Sequence, residues 1–389
     1  MGEGSFVFSQ LVSFIPKRQF RRIVDKYQGN YCVKNFSCWD QYLCMLFAQL
    51  THRDSLRDIE ICLRSFNKKL YHFGIRGKIS KSTLADANNN RDWQIYRDFA
   101  GLLIKRAQKL YVDEPFGVEL ENSVYAFDAS IISLCLSVFP WAHFRETKGG
   151  IKLHTQLDLH GNIPVFIDLS EANQADVVGL DNLILEAGAI YILDRGYVDF
   201  KRLHRFVLCS AFFLIRAKKG LAYKRVYSNQ VDKKTGIRSD QTIKLTSKES
   251  ANNYPDNLRR VKYYDSEHDR YLIFLTNNFT LPAMTIADLY KSRWQVELFF
   301  KWIKQHLKIK SFFGTSRNAV YTQIWIAISA YVLVAIVKKE LKIEQSLYSI
   351  LQFLSIALFE KTPILQAFQE FEELEKDEEI DNQLKLFNS

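Results

Sequence analysis

From residue 151 to residue 160 apolar and polar positions alternate without a break. Ile151, Leu153, Thr155, Leu157 and Leu159 stand against Lys152, His154, Gln156, Asp158 and His160, which is the period of a half-buried β-strand. Gly161-Asn162 reads as a turn, and Ile163-Pro-Val-Phe-Ile-Asp168 returns as the hairpin partner, with Pro164 near the strand's start, where a missing N–H matters least. Three short apolar runs, residues 124–127, 189–193 and 212–215, have the length and composition of strands buried on both faces. A helical stretch is expected around residues 177–187. Three strands, a crossover helix and two further strands is the order this pattern predicts.

Helical periodicity governs the flanking regions. Ser55 is placed to cap a helix whose Leu56, Ile59 and Leu63 form one stripe, with Asp58 in its first turn. Residues 80–91 start with capping residues and continue with Asn88, Asn89 and Asn90. Residues 290–304 read as one helix, on which Tyr290, Arg293, Lys301 and Lys304 fall within roughly 40° of Glu297. Leu289, Val296, Phe300, Ile303 and Leu307 make an apolar stripe about a quarter-turn away. The polar face must then look into something other than core. The longest apolar stretch, residues 320–337, approaches membrane-spanning length but carries Thr322, Gln323, Ser329 and Tyr331, and we expect a buried core helix and no membrane partner.

Composition adds a partner class. The 389 residues carry a net charge of +10 with a pI near 9.1, enough chain for two or three domains and a basicity that suits a polyanion. The acidic run at 370–381 leaves the rest more basic still. Six cysteines, at 32, 38, 44, 62, 135 and 209, show no CxxC pair and no zinc spacing, and read as reduced, mostly buried thiols of a cytosolic protein. The start, Met-Gly-Glu-Gly-Ser, lacks a secretion pattern.

Candidate chemistry sits where the patterns end. Asp128 and Asp194 each close an apolar run, as turn residues commonly do, and Asp158 and Asp168 also end strands. Glu297 between Arg293 and Lys301 fits either a solvated ion-pair face or a metal-binding carboxylate among phosphate-binding groups. Lys152 and His154 project from a polar strand face toward DNA or toward water. Basic clusters lie at Lys17, Arg18, Arg21 and Arg22, and at Lys68, Lys69, Arg76, Lys78 and Lys81, so the helices before residue 115 form either a helix-turn-helix-like reader or a helical domain with a basic surface. Residues 218–270 are short β-like pieces, near 223–227, 242–245 and 261–264. There Lys218, Lys219, Lys224, Arg225, Arg259, Arg260 and Lys262 interleave with Tyr223, Tyr227, Tyr263 and Tyr264, the ingredients either of strand binding or of a surface ribbon.

The spacing Tyr-x2-Arg-x3-Glu-x6-Lys, met by Tyr290, Arg293, Glu297 and Lys304, follows Phe-Asp128-Ala-Ser and Leu-Asp194-Arg-Gly-Tyr in the chain. Together these motifs resemble the DDE transposases of bacterial insertion sequences, in the branch with the Tyr-Arg-Glu-Lys signature. The resemblance implies an α/β ribonuclease H-like catalytic core (residues 121–217 and 271–340) with a β-rich insertion (218–270). It also implies an all-α DNA-binding domain before the core (1–115) that recognises terminal repeats, and a helical region with an acidic tail (341–389) after it. It implies an enzyme that cleaves DNA at the element's ends and transfers strands to target DNA. Asp128, Asp194 and Glu297 would be catalytic and hold two Mg²⁺ ions, or Mn²⁺ in their place, while Tyr290, Arg293, Lys304 and Lys301 would bind DNA. Its partners would be double-stranded terminal repeats and target DNA, with a homodimer in the synaptic complex and a cytoplasmic, nucleoid-associated location. Residues 218–270 contain no tryptophan, so a tyrosine would have to support a flipped base. Two rivals share these motifs: a catalytically silent DNA-binding repressor derived from a transposase, and a metal-dependent nuclease without strand transfer.

Overall fold

The computed structural model describes residues 4–76, 79–145, 148–306 and 312–368. Lys78, Leu307 and the acidic run at 370–381 lie outside them. The chain divides into two compact units, one formed by the described residues up to Leu110 and from Lys301 onward, the other by Tyr111–Phe300.

Six helices open the first unit: α1 (Val7–Ser13), α2 (Lys17–Lys26), α3 (Cys38–Leu50), α4 (Leu56–Ser65), α5 (Lys81–Asn90) and α6 (Gln94–Tyr111). Their starts follow the capping chemistry of the sequence. Ser55 accepts from Asp58 N at the head of α4, Ser80 from Thr83 N at the head of α5, and Ser37 with Asp40 closes a capping box on α3. On α5 the Asn88 side chain faces inward: it is buried and accepts from Gln41 Nε2 at 2.8 Å.

The second unit is built on one ten-stranded mixed sheet. Its strands are β1 (Val124–Leu134), β2 (His143–Arg145), β3 (Lys148–Asp158), β4 (Ile163–Glu171) and β5 (Ile190–Leu193), followed after helix α7 (Phe200–Leu208) by β6 (Phe212–Arg216). β7 (Tyr223–Asn229), β8 (Ile237–Leu245), helix α8 (Lys248–Asn253), β9 (Leu258–Asp265) and β10 (Arg270–Thr276) come next, then helices α9 (Ala283–Ser292) and α10 (Trp294–His306). The sheet order is β2-β3-β1-β5-β6-β10-β9-β8-β7, with β4 also paired to β3. β1, β5 and β6 run parallel, while β3 and β4 are antiparallel neighbours beyond β1. Gly161 and Asn162, both with positive φ, turn the β3–β4 hairpin, and Gly161 lies so close to Tyr111 that a Cβ there would meet the ring at 2.0 Å.

Three expectations change here. Asp128 does not end its strand: β1 runs on to Leu134, paired with β3 after β5 has stopped. The stretch 177–187 holds only a 3-10 helix, Asp176–Asn182, in which Gly179 is wedged against the His154 ring, where a Cβ would meet Nδ1 at 2.5 Å. Residues 218–270 are no separate ribbon, since β10 pairs antiparallel with β6 and carries β9, β8 and β7 onto the same sheet.

Side-chain alternation gives the sheet two covered faces. Phe213 and Ile215 point to the side of α7 and α8, where Leu203, Phe206, Tyr254, Ile243 and Leu258 complete a core. Full burial of each large apolar group there stabilises by about 1.5–3 kcal/mol. Phe274, in register with Arg216, points the other way and meets Tyr290 of α9 at 4.7 Å.

The chain then returns to the first unit with α11 (Arg317–Glu340) and α12 (Leu347–Ala357). Residues 319–337 of α11 are buried throughout, as expected of a core helix, and it packs on α3 and α5 through contacts such as Tyr42 Oη to Ser329 Oγ at 3.2 Å. The segment expected as core, 271–340, is thus shared between the two units. All six cysteines are unpaired, but only Cys38 and Cys44 are buried, fewer than the pattern suggested.

Candidate active site

Register explains how remote acids meet. Phe127 of β1 and Leu193 of β5 are the last partners of a parallel pair, so Asp128, where β1 runs on, and Asp194, where β5 ends, each follow one member of that pair. Leu193 is in turn in register with Ile215, which places Arg216 next in the row. The row lies on the α9 face. There α9 and α10 meet at Arg293, which breaks the single helix expected over 290–304 into two.

The joint places Arg293 between two carboxylates. Its Nη1 donates to Asp128 Oδ2 at 3.1 Å and its Nη2 donates to Glu297 Oε1. Tyr290 Oη reaches Asp194 Oδ1 at 3.5 Å, and Asp194 also accepts from Gly196 N. Asp128, Asp194, Glu297, Tyr290 and Arg293 are therefore brought into one cluster. Lys301 and Lys304 follow on α10 in the part that belongs to the first unit, Lys301 exposed and Lys304 half-buried.

Burial pushes the Asp128 carboxyl up to about 6, with Asp194 and Glu297 adding to the rise and the Ala129 amide and Arg293 opposing it. Burial likewise pushes the Tyr290 phenol up to about 12. On the opposite side of the row the Tyr197 hydroxyl is buried without a hydrogen-bond partner, packed against Phe127 at 5.4 Å.

Several other candidates have different employment. Asp158 accepts from the His160 amide and ring in the hairpin turn, and Asp168 accepts from Asn182 at 3.0 Å. Lys152 and His154 face neither DNA nor water: both are buried, Lys152 on Asp176 at 2.6 Å and His154 on Ser170 at 3.0 Å. Arg259, expected among the phosphate-binding cations, is buried in a two-pronged pair with Asp240, both contacts at 2.9 Å, and donates to the carbonyl of Leu281 just ahead of α9. Tyr263 is buried too, whereas Tyr223 and Tyr227 are exposed on the edge strand β7.

Arg216 was missed because the apolar run was read only to Ile215. Its position one residue past the run, as with Asp128 and Asp194, was the available signal. Its charge reaches Tyr290 and works against the rise of the phenol.

The donor set suits hard divalent cations, which prefer carboxylate oxygens. Three acids stand there with the guanidinium of Arg293 between two of them and that of Arg216 in the same row. Among the described residues the group of metal-type side chains whose donor atoms lie within 4.8 Å of one another is Asp265, Glu267 and His268, in the exposed β9–β10 turn, where Asp265 is already paired with Arg270 and His268. The oxygens of Asp128, Asp194 and Glu297 stand wider than that, with Arg293 bridging two of them.

A family model described as Transposase DDE domain matches residues 119–333, which takes in the whole cluster. The chain belongs to the DDE transposase family. A second model, Domain of unknown function (DUF4372), matches residues 3–76 of this family member. It is 32% identical over 285 residues to the putative transposase y4zB of Sinorhizobium fredii, covering 72% of this chain and 78% of that protein. It is 31% identical over 209 residues to a probable transposase for insertion sequence element IS5377 of Geobacillus stearothermophilus, covering 53% and 54%. Among solved structures, the piggyBac transposase synaptic complex with hairpin DNA aligns over 92% of this chain and 78% of that one, with a TM-score of 0.43 and 12% identity.

Proposed function

We propose that the chain is a DNA transposase that cuts at the ends of an insertion sequence and joins the freed strands to target DNA, with Asp128, Asp194 and Glu297 as its metal-binding acids. The observation that carries this reading is the cluster itself: carboxylates 66 and 169 residues from Asp128 in the sequence are joined to it through Arg293 and Tyr290. The strand order, with β4 and β3 beyond β1 on one side and parallel β5 and β6 on the other, supports a ribonuclease H-like core.

The three acids would hold Mg²⁺, or Mn²⁺ in its place, and the bound cations would polarise the phosphodiester and make water or a 3′-hydroxyl a better nucleophile. Arg293 keeps Asp128 and Glu297 oriented while their charge is uncompensated, and is placed to turn to a phosphate once cations share that charge. The phenol of Tyr290, held by Phe274, positions Asp194 and offers a hydroxyl to the same phosphates. Lys304 and Lys301 extend the cationic side of α10 toward the DNA backbone, consistent with the Tyr-Arg-Glu-Lys signature. Terminal repeats and target DNA are the partners, two copies of the chain serve the two ends, and the protein works in the cytoplasm at the nucleoid.

The test is incubation of the purified protein with duplexes ending in the flanking inverted repeats and with Mg²⁺, scoring both cleavage and joining. Wild type is expected to do both. Glu297→Gln and Asp194→Ala should bind the duplex and lose both cleavage and joining, because each removes an oxygen ligand of the bound cations. Cleavage without joining points to a nuclease, and binding with no cleavage by wild type to a silent DNA-binding protein.

A further inference from the structure

Two polar side chains are buried under the acids and take no part in the chemistry described above. Lys152 and His154 stand on β3 in register with Ile131 and Ala129 of β1, just past Asp128, while Asp128 itself is in register with Thr155. Side chains alternate along a strand, so Lys152 and His154 point to the face opposite Asp128, on the side of Phe127. Lys152 is 5% exposed and His154 1%. Taking an ammonium and an imidazole out of water is costly, and a buried ion pair commonly stabilises no more than well-packed apolar groups of the same volume would. Stability alone is a poor reason for their presence there.

Their contacts give a better one. Lys152 Nζ holds the segment after β4 at two points, donating to the carbonyl of Gln174 and pairing with Asp176 at 2.6 Å. Asp176 opens the 3-10 helix Asp176–Asn182. Within that helix Gly179 presses on the His154 ring, where a Cβ would stand 2.5 Å from Nδ1 and 2.9 Å from Cε1. Ser170 of β4 meets the ring's other nitrogen, Nε2, at 3.0 Å. An imidazole caught between Ser170 and Gly179 has no freedom to tilt, and its face lies nearly parallel to the ring of Phe127, 6.3 Å away with 12° between the planes.

Phe127 is the residue before Asp128. On its other side it meets Tyr197 edge-on at 5.4 Å. Tyr197 ends the 3-10 turn Arg195–Tyr197, which Asp194 caps by accepting from Gly196 N. The helix Asp176–Asn182 packs on that same turn. Contacts therefore run from His154 through Phe127 to Tyr197, and from Lys152 through Asp176 and its helix to Tyr197, and they close on the backbone beside both acids. Burial pushes the Tyr197 phenol up, and the charges of Asp128, Asp176 and Asp194 push it further, as its place among the three requires. Small errors here matter: Mg²⁺ takes oxygen ligands at about 2.0–2.1 Å in a near-ideal octahedron, and a site of this kind tolerates displacements of only about 0.5 Å.

We propose that Lys152 and His154 are positioning residues of the metal site: with Gly179 they clamp Phe127 and Tyr197 from the far side of the sheet and so set the spacing at which Asp128 and Asp194 share a divalent cation. The inference rests on the reading of those acids as metal ligands. It gives a role at the site to residues that touch neither the cation nor DNA.

The experiment uses the full chain without DNA and takes Mn²⁺ as the probe, bound ion being read from the loss of the free-Mn²⁺ electron paramagnetic resonance signal. The component that Asp194→Asn abolishes is the ion held by the site. Lys152→Met, which keeps the stem and removes the ammonium, should weaken that component roughly tenfold, the lower end of what loss of a group behind a metal ligand costs. Gly179→Ala, which drives one methyl group against the imidazole, should weaken it to a similar extent. Lys152→Arg, which keeps a cation for Asp176, should recover most of the affinity. Phe206→Leu loosens the same core where it packs on Tyr191 and Phe213; it should lower the melting temperature in EDTA and leave Mn²⁺ affinity unchanged. An affinity that falls in all four variants in proportion to their melting temperatures overturns the proposal, since loss of stability then explains it. Asp194-dependent Mn²⁺ binding that Lys152→Met and Gly179→Ala leave intact also overturns it, and leaves the acids standing as metal ligands. A wild type with no Asp194-dependent Mn²⁺ sinks that reading of the acids, and the clamp with it.

Discussion

At the scale of single residues the site is a problem in charge. Arg293 and Asp128 expose 16% and 19% of their side chains, so neither is well screened by water, and removing one partner of such a pair leaves an uncompensated charge at a cost of about 3–5 kcal/mol when fully buried. Arg293→Ala should therefore lower the melting temperature of the chelator-treated protein, by the equivalent of about 2–4 kcal/mol. Added Mg²⁺ should recover part of that loss by neutralising the same carboxylates, and should recover none of it in an Arg293→Ala chain that also carries Asp194→Asn and Glu297→Gln. A Mg²⁺ response indifferent to those acids would place the cation elsewhere. A second ion pair, at Asp98, responds to acid. Burial alone would raise the Asp98 carboxyl, but donation from Lys26, Tyr27 and Arg97 outweighs it and leaves the group below its ordinary value. A depressed carboxyl contributes stability that is present above its unfolded pKa and is lost as pH falls through the folded one. Asp98→Asn should then destabilise by about 1 kcal/mol at neutral pH, with the difference between variant and wild type closing below about pH 4. A gap that widens in acid would contradict the assignment.

At the scale of elements, what the sequence made legible was whatever a local pattern determines. Alternation over 151–160 marked β3, Gly161-Asn162 marked its turn, and Ser55 and Ser80 marked the caps of α4 and α5, because each depends on neighbours within a few residues. The strand ends were legible in a weaker sense: an Asp after an apolar run signals a carboxylate at the edge of buried backbone, but only the β1–β5–β6 register shows that two of them and Arg216 share a row. What could not be read was which charged groups turn inward. Arg259 and Lys262 look alike in sequence, yet Arg259 alternates onto the face covered by α9 and finds Asp240 on β8, whereas Lys262 lies on the other face, over the ring of Tyr271. Lys152 and His154 sat on the polar side of a correctly read strand, and the stretch around Gly179 then closed over them. The break at Arg293 was hidden for a related reason. No Gly or Pro marks it, and the helix is interrupted where a guanidinium is held by acids from a different strand and from the next turn.

At the scale of the whole chain, the sheet unit is contiguous in sequence and the helical unit is not. Tyr111–Phe300 carries its own core, with Phe206, Phe213, Tyr254 and Leu258 on one face of the sheet and Phe274 under Tyr290 on the other, and at that size a chain buries enough surface to fold alone. The helices before Leu110 lack that independence. Their centre is α11, a 24-residue helix that is wholly buried over its apolar window and comes from beyond residue 301. Without it, Tyr42 loses Ser329, and the buried Gln41–Asn88 pair loses the Asn318 side chain that donates to the Asn88 carbonyl. Two fragments should then behave differently although their lengths in sequence are comparable to ordinary domains. Residues 111–300 alone should give a strand-rich circular dichroism spectrum and a single cooperative melt. Residues 4–110 alone should be helical in part but melt without cooperativity and bind the dye ANS, since the face of α3 that α11 covers is apolar. A cooperative melt for residues 4–110 would show that α11 is dispensable to them, and the absence of one for 111–300 would show that the sheet depends on the helices flanking it in the chain.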